Sequence, residues 1–210
     1  PLLVQASLIP NVFINEIHYD NLGKDQNEYI EIAGDGSLDL AGWSLYLYNG
    51  NGGGKYNSFS LGRWSTIDSD TNFGFLTINT KGLQNGSPDG IALSDGASLI
   101  QFLSYEGVFT ASSGIAAGLT STDIGVLETS DTPLGWSLQL TGEGNQYSDF
   151  SWAAPQKSTF GKNNIRQRFL TDSTLAISVS EPNSFLLLNL ALLIFVLTAF
   201  KTKSIKLFVA

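Results

Sequence analysis

The stretch Trp43-Ser44-Leu45-Tyr46-Leu47-Tyr48, followed by the glycine-rich run 49–54 (Asn-Gly-Asn-Gly-Gly-Gly), decides the fold class. In an extended strand, the apolar odd-numbered residues of the first six share one face and the even-numbered ones share the other. The glycine-rich run favours a turn at the tip of a hairpin. The stretch therefore predicts a strand of an antiparallel sheet, followed by a hairpin turn.

Other segments rich in β-branched and aromatic residues lie on both sides of this one. They are Val12–Tyr19, Glu28–Ala33, Phe73–Asn79, Gly90–Ser94, Leu99–Tyr105, Gly135–Leu140 and Asp149–Trp152. Short strands at this spacing, with no amphipathic helix among them, predict an all-β antiparallel sandwich. We expect Trp43, Trp136 and Trp152 to build its core, and Trp64 to be an exposed contact.

The last thirty residues carry a membrane-directed pattern. Ser180-Glu181-Pro182 precedes a run without charge, residues 185–200, which is followed by Lys201, Lys203 and Lys206. At about 1.5 Å per residue this run spans roughly 24 Å, which is short against a hydrocarbon core of about 30 Å. The run predicts one C-terminal transmembrane helix, and the lysines predict a cytoplasmic C-terminus. A buried core helix is the alternative.

The tail resembles the C-terminal sorting signals of the PEP-CTERM class, in which a short motif, a transmembrane helix and a basic end follow one another. The resemblance implies processing by an exosortase and release to the cell surface or the extracellular matrix. The chain departs from the class in Ser180, where the motif has proline, in Asn189 within the helix, and in lysines in place of arginines. An anchor that is never cut is the alternative.

Four divisions of the chain follow from these patterns. Residues 1–10 read as a signal-peptide remnant and leader with a cut after Ala6, so we expect further residues before Pro1; a plain first strand is the alternative. Residues 11–164 form the sandwich, and residues 180–210 form the sorting signal. Between them, residues 165–179 read as a polar stalk. A basic cluster, Lys162, Arg166 and Arg168, precedes and enters that stalk and is either solvated or in contact with anionic polymer or lipid headgroups.

Several blocks in order resemble the lamin tail domains of bacteria. The blocks are Phe13–Asp20, Glu28–Ile32, Leu40–Leu45, Gly90–Leu93, Phe102–Gly107, Thr122–Gly125, Gly135–Leu140, Asp149–Trp152 and Gly161–Asn164. The resemblance implies an immunoglobulin-like β-sandwich of the lamin tail type. It also implies an extracellular accessory domain, a kind of module sometimes attached to secreted nucleases or phosphatases.

The net charge of the predicted sandwich restricts the classes of partner that it can bind. Before residue 161 there are 17 acidic side chains against five basic ones, which gives a net charge of −12. Such a surface repels phosphate backbones and argues against nucleic-acid binding. The chain has no cysteine, so it holds no disulfide and no thiolate metal site.

Oxygen-rich segments give two weak candidates for Ca²⁺. Asp68, Asp70 and Asn72 alternate as ligands of a calcium loop do, although the glycine and the twelfth position do not fit. A solvated turn in which these side chains cap their own backbone is the alternative. The second cluster comprises Asp20, Asp25 and Glu28.

The one histidine, His18, is the other candidate for chemistry. Glu16, His18 and Asp20 lie two apart, so a regular strand would point all three the same way. They would then form a metal-binding face, a sheet surface next to solvent, or a set of polar groups that tie down a neighbouring loop. No nucleophile elbow accompanies a serine, so a catalytic triad is not supported. We expect no catalytic residues, no required cofactor and a non-enzymatic exported module that binds surface polysaccharide or matrix. The alternative is an accessory domain that binds nucleic acid, polysaccharide or Ca²⁺ for an extracellular hydrolase.

Overall fold

The computed structural model describes residues 11–171. Several predicted features lie outside the described residues: the leader 1–10, stalk residues 172–179, Ser180, Glu181, Pro182, the apolar run 185–200, and Lys201, Lys203 and Lys206. For these features the sequence-based expectations stay predictions.

Residues 11–171 contain twelve strands and one short 3₁₀ helix. The strands are β1 (Val12–His18), β2 (Tyr29–Asp35), β3 (Ser44–Asn49), β4 (Gly54–Ser60), β5 (Thr66–Ile67), β6 (Phe73–Asn79), β7 (Asp89–Ser94), β8 (Leu99–Tyr105), β9 (Thr122–Asp123), β10 (Trp136–Gly144), β11 (Phe150–Lys157) and β12 (Gln167–Phe169). The 3₁₀ helix, Tyr147–Asp149, connects β10 to β11. The predicted all-β class is confirmed.

The strands form two sheets. The first has the order β11-β10-β1-β2-β6-β5, with β12 added beside β10, and the second has the order β4-β3-β7-β8-β9. Neighbouring strands are antiparallel except for β10 with β12 and β8 with β9. Large apolar side chains from both sheets pack into one central core. This core includes Ile14, Ile17, Ile30, Ile32 and Leu138 from the first sheet, and Leu45, Leu47, Ile91, Leu93 and Leu103 from the second. The molecule is therefore a β-sandwich, as the alternation of Trp43–Tyr48 predicts.

The outer face of each sheet is also covered. On the first sheet, Phe13, Ala33 and Phe75 alternate with residues of the central core, and Phe169 of β12 packs on them. On the second sheet, Tyr48, Ala92 and Phe102 are covered by the loop that contains Phe109 and Ala116. Because side chains alternate along a strand, each sheet buries apolar groups on both sides.

A register irregularity in β1 shapes the first sheet. The pairing of β1 with β2 shifts between Ile14 and Glu16, so that Ile14 and Ile17, three residues apart, both enter the central core. The two polar residues between them, Asn15 and Glu16, bond to side chains of residues 158–169. A bulge thus places two adjacent polar side chains under the C-terminal end of the described chain.

Residues 165–169 correct the predicted start of the stalk. β12 pairs in parallel with β10 through Gly142, Glu143 and Gly144, and Phe169 is 2% exposed. The sandwich therefore extends through Phe169 instead of ending at residue 164. We call residues 158–169 the C-terminal strap.

Two tryptophan predictions are wrong. Trp136 is 38% exposed, because it lies at the start of β10, just before a register irregularity between Ser137 and Gln139. Trp64 is half-buried: its Nε1 donates to the Leu38 carbonyl at 3.0 Å, and its ring lies against Gly74, where a Cβ atom would overlap the indole. Trp43 lies in the central core as predicted, and the half-buried Trp152 packs against that core.

Candidate functional site

The largest buried polar cluster lies between the first sheet and the C-terminal strap, and Glu16 is at its centre. Its Oε1 accepts from the backbone N–H of Thr159 at 2.8 Å and from the hydroxyl of Ser137. Its Oε2 accepts from the Thr159 hydroxyl at 2.9 Å. A weaker bond of 3.3 Å comes from Nε2 of Gln139. All of these donors are neutral.

Glu31 lies beside Glu16, because the two residues are direct partners in the pairing of β1 with β2. Its Oε2 accepts from the Thr77 hydroxyl at 2.9 Å and from the backbone N–H of Gly161 in the strap. Its Oε1 accepts from the amide of Asn15 at 3.2 Å. Both glutamates are fully buried. Two carboxyl groups thus share one dry site that neutral donors surround.

Asn164 and Gln167 complete the attachment of the strap. Nδ2 of Asn164 donates to the carbonyls of Asn15 and Leu140, both at 3.0 Å. Nε2 of Gln167 donates to Oδ1 of Asn15 at 2.7 Å. The strap therefore bonds to backbone and side chains of both β1 and β10.

The electrostatics of this site favour a bound proton. The pKa of Glu31 is raised to about 7, because burial and the charge of Glu16 together outweigh the hydrogen bond from the Gly161 N–H. Burial also raises the pKa of Glu16, although its four hydrogen bonds oppose the shift. Placing two like charges together in a desolvated site is costly, so one of the two carboxyl groups holds a proton more tightly than a free carboxyl does.

An acidic cleft lies where the loop after β1 meets the loops after β6, β8 and β9. It has a volume of about 620 Å³, and its lining includes Asp20, Asn85, Glu106, Asp123, Leu127 and Glu128. Burial raises the pKa of Glu106, as do the charges of Asp20 and Asp123, while a bond from the Tyr19 hydroxyl opposes them. Burial and the adjacent Asp25 raise the pKa of Asp20. Like charges therefore accumulate at the mouth of this cleft.

His18 lies beneath the cleft and is paired with Glu128. Its Nδ1 is 2.9 Å from Oε1 of Glu128, and its Nε2 lies 3.2 Å from the Gln26 carbonyl and 3.3 Å from Oδ1 of Asn21. Both ring nitrogens therefore face oxygen acceptors, which fits an imidazolium at pH values below the raised pKa of His18. Burial lowers the pKa of His18, but Glu128 and the other acceptors outweigh it, so that the pKa is raised.

Two tyrosines support the wall of the cleft. The rings of Tyr19 and Tyr105 stack with centroids 4.0 Å apart. The Tyr19 hydroxyl accepts from the backbone N–H of Glu128 at 2.8 Å and donates to Oε1 of Glu106 at 2.9 Å. Glu128 Oε2 in turn accepts from the backbone N–H groups of Tyr19 and Asp20. Glu128 is thus fixed by an imidazolium, two amides and a phenol.

The three residues Glu16, His18 and Asp20 do not share one site. Glu16 faces the strap, His18 pairs with Glu128, and Asp20 opens into the cleft. The register shift in β1 lies before Glu16, so Glu16 and His18 alternate regularly, but they meet different partners along the strand. Asp20 lies beyond the end of β1. In residues 11–171 no three His, Cys, Asp or Glu side chains come together as a metal site.

The two sets of calcium candidates have different arrangements. In the first, Oδ1 of Asp68 accepts from the backbone N–H groups of Asp70 and Thr71, which caps a turn, and the Asn72 amide donates to Asp35. In the second, Asp20 and Asp25 come close together.

The third member of that second set is separate. Glu28 accepts from the backbone N–H groups of Gly82 and Leu83, which fixes the loop after β6. Of the three predicted Ca²⁺ ligands in this set, the structure therefore brings together only Asp20 and Asp25.

The basic cluster lies on the exposed side of the strap. Lys162, Arg166 and Arg168 are exposed, and Arg168 forms a 3.4 Å ion pair with Glu143 on β10. Within residues 11–171 no helix is long and apolar enough to span a bilayer.

Sequence reasoning missed Glu128 and Glu31 as partners. His18 and Glu128 are 110 residues apart, and Glu128 stands in a segment without periodicity. Glu31 reads as the polar position of an ordinary alternating strand. Only the asparagine-glutamate pair at 15–16, inside an apolar run, signalled a buried polar site.

No protein-family model, no curated protein and no solved structure matches the chain. The interpretation of function therefore depends on the residues themselves.

Proposed function

We propose that this chain is a non-enzymatic module of the bacterial cell surface or extracellular matrix, delivered by its C-terminal segment. The observation that carries the proposal is the order of elements at the C-terminus: an acidic sandwich, Ser180-Glu181-Pro182, an uncharged run of residues 185–200, and three lysines. An apolar run with a cationic end favours insertion with the sandwich on the far side of the membrane. An exosortase-like enzyme then cuts near the motif.

We also propose that the sandwich is immunoglobulin-like and of the lamin tail type. Four of the blocks that resemble lamin tail domains contribute to one buried network: Asn15 and Glu16, Glu31, Ser137 and Gln139, and Asn164. The quoted motifs thus have a shared physical role, which supports a family resemblance over a chance one. The likeness concerns fold, and fold alone assigns no activity.

The state of His18 supports a binding role over a catalytic one. A general base needs a free nitrogen within reach of substrate. Here the ring is 3% exposed and both nitrogens are occupied. The acidic surface favours partners without phosphate, such as surface polysaccharide or matrix polymer.

The intact mass of the protein recovered from the native cell surface tests this proposal. We expect a mature chain that ends near residue 183, and a variant with Glu181→Ala and Pro182→Ala that keeps its tail in the membrane fraction. A control variant with Ser158→Ala, far from the motif in sequence, should be processed normally. Recovery of the mature protein with residues 184–210 intact would favour an uncut anchor and contradict the processing step.

The acidic cleft favours a second candidate, an accessory domain that binds Ca²⁺ or another cation for an extracellular hydrolase. Asp25 raises the pKa of Asp20, and a divalent cation would relieve that repulsion. If this candidate is correct, CaCl₂ should raise the melting midpoint and EDTA should lower it, with both effects lost in Asp20→Asn. The surface-module proposal predicts the same midpoint with EDTA as without it.

A further inference from the structure

We propose that the C-terminal strap is a pH-sensitive latch: a proton bound by the Glu16 and Glu31 pair favours docking of residues 158–169 on the first sheet, and loss of that proton favours their release. The latch lies in the segment that leads into residues 172–210. The inference does not depend on how the chain is delivered or processed.

The carboxyl pair is one of the strap's attachments, beside the pairing of β12 with β10 and the packing of Phe169. The strap supplies three of the hydrogen bonds that the two glutamates accept, from the N–H and hydroxyl of Thr159 and from the N–H of Gly161. Withdrawal of the strap would remove these donors and admit water to both carboxyl groups. When the strap opens, the two carboxyl groups therefore lose three hydrogen-bond donors and become hydrated instead.

No cation compensates the pair. In the part of the chain that the structure describes, the two ion pairs are His18 with Glu128 and Arg168 with Glu143, and both lie elsewhere. The side chains that bond to the two glutamates are neutral. They come from β1, β6, β10 and the strap: Asn15, Thr77, Ser137, Gln139 and Thr159.

The charged and titratable groups of the surrounding elements are engaged or point to solvent. His18 of β1 is held by Glu128, and Asp35 of β2 accepts from Ser37. The cations of β11 and the strap are exposed. These cations are Lys157, Lys162, Arg166 and Arg168. The remaining groups are Tyr29 of β2, whose ring packs on Phe160, and exposed Glu143 of β10.

Two opposing effects decide whether docking favours the proton. The strap's donors stabilise an ionised carboxylate, whereas the water that the strap excludes would stabilise it more. Burial is the larger effect at both glutamates. The closed strap thus binds a proton more tightly than the open one, and by linkage the proton favours closure.

The direction of the pH dependence follows. Glu31 has a pKa of about 7 when the strap is closed, and water would return it toward its ordinary value of 4.5 when the strap is open. Opening is therefore least favourable below the lower value and grows as pH rises through the window between the two. One proton gives a rise of at most about tenfold per pH unit, and the curve levels above the closed-state pKa.

Hydrogen exchange of the full chain, kept in solution with a mild detergent, tests the latch. Peptides that cover residues 158–169 are followed by mass spectrometry between pH 5 and pH 8.5, and each rate is divided by its intrinsic rate. We expect the opening constant of the strap to rise by roughly 100-fold over this range, which is one proton acting over two pH units. The peptide that covers β3, Ser44–Asn49, exchanges only when the core unfolds, so it should stay more protected than the strap at every pH.

Two variants identify the group responsible. Glu31→Gln, which mimics the protonated side chain, should keep the strap closed and remove the pH dependence. Glu143→Gln removes only the exposed ion pair to Arg168 and should keep the wild-type dependence. A wild-type strap that opens equally at pH 5 and pH 8, or Glu31→Gln with an unchanged pH profile, would overturn the proposal. The wild-type profile decides the question even if Glu31→Gln does not fold.

Discussion

Two buried carboxylates near strand β1 are stabilised in opposite ways. Glu128, under the acidic cleft, faces the imidazolium of His18 at 2.9 Å and two backbone N–H groups. Glu31, under the strap, faces the carboxyl group of Glu16 and neutral donors only. The difference shows that this sandwich buries one carboxyl group beside a cation and another in protonated form. The two arrangements respond to pH over different ranges.

At the cleft, stability depends on a charged histidine. The pKa of His18 is raised above its ordinary value of 6.5 in the folded chain. This contribution is fully present below pH 6.5 and is lost as pH rises through the higher folded pKa. Under the strap, the raised pKa of Glu31 lowers stability as pH rises from 4.5 to about 7, with no further loss above that. The strap thus weakens at lower pH than the cleft.

The strongest test of the strap removes its apolar anchor. Phe169 is stacked on Phe73 with ring centroids 3.9 Å apart and also packs on Phe150. We expect Phe169→Ala to lower the free energy of unfolding by about 3–5 kcal/mol, as for other buried phenylalanines. Urea denaturation of the full chain at pH 6 measures it.

Leu127→Ala is the matched control, because Leu127 is 47% exposed in the cleft. It should change the free energy of unfolding by less than about 0.5 kcal/mol. Equal costs for the two variants would show that the strap belongs to a stalk after all.

Replacement of His18 should destabilise the residues around the cleft but leave the strap docked. His18→Ala leaves Glu128 buried with no counter-charge, which should cost about 3 kcal/mol at pH 6. The cost should shrink at pH values above the raised pKa of His18, where the wild-type ring is neutral. Urea titrations at pH 6 and pH 9 measure both values.

The double variant His18→Ala, Glu128→Gln completes a cycle for this ion pair. It should recover part of the loss, because no unpaired charge remains. A cost that is the same at both pH values would mean that His18 is neutral in the fold.

A smaller effect is expected from the phenol that supports Glu128. Tyr19→Phe leaves the buried N–H of Glu128 without its acceptor, which should cost about 1–2 kcal/mol. Tyr147→Phe is the control, because its hydroxyl accepts from Trp152 in a partly exposed site. Thermal unfolding should rank Tyr19→Phe as the more destabilised variant, and the reverse order would contradict the role of Tyr19 in the cleft wall.

The smallest effect should come from the ion pair on the strap surface. Arg168 and Glu143 are 65% and 61% exposed, so Glu143→Gln should change stability by less than about 0.5 kcal/mol at any salt concentration. A loss above 1 kcal/mol that disappears in high salt would mean that surface charge, and not the buried pair, holds the strap.

Periodicity predicted most of the fold. The segments Phe73–Asn79 and Leu99–Tyr105 match strands of the structure, because apolar alternation reports burial directly. β4 was missed: its sequence from Gly54 to Ser60 is largely polar, as an edge strand allows. β12 was missed because a strand of three residues is too short to show a period. Its partner residues on β10 are more than twenty positions earlier in the chain.

The candidate site was less predictable than the fold. The sequence placed Glu16, His18 and Asp20 on one face, whereas in the structure Glu16 contacts the strap and His18 contacts Glu128. Asp20 lies beyond the end of β1. Nothing in the sequence indicated that Glu16 pairs with Glu31 or that the Gly161 N–H donates to Glu31. Contacts of this kind depend on strand order and register, which alternation alone does not specify.

The titration of the Glu31 carboxyl carbon in the full chain, followed by ¹³C NMR and assigned by its loss in Glu31→Gln, tests the account most directly. The account predicts a midpoint of about 7, accompanied by shifts of the Thr159 and Gly161 amides over the same range. A midpoint near 4.5, with those amides unaffected, would contradict it.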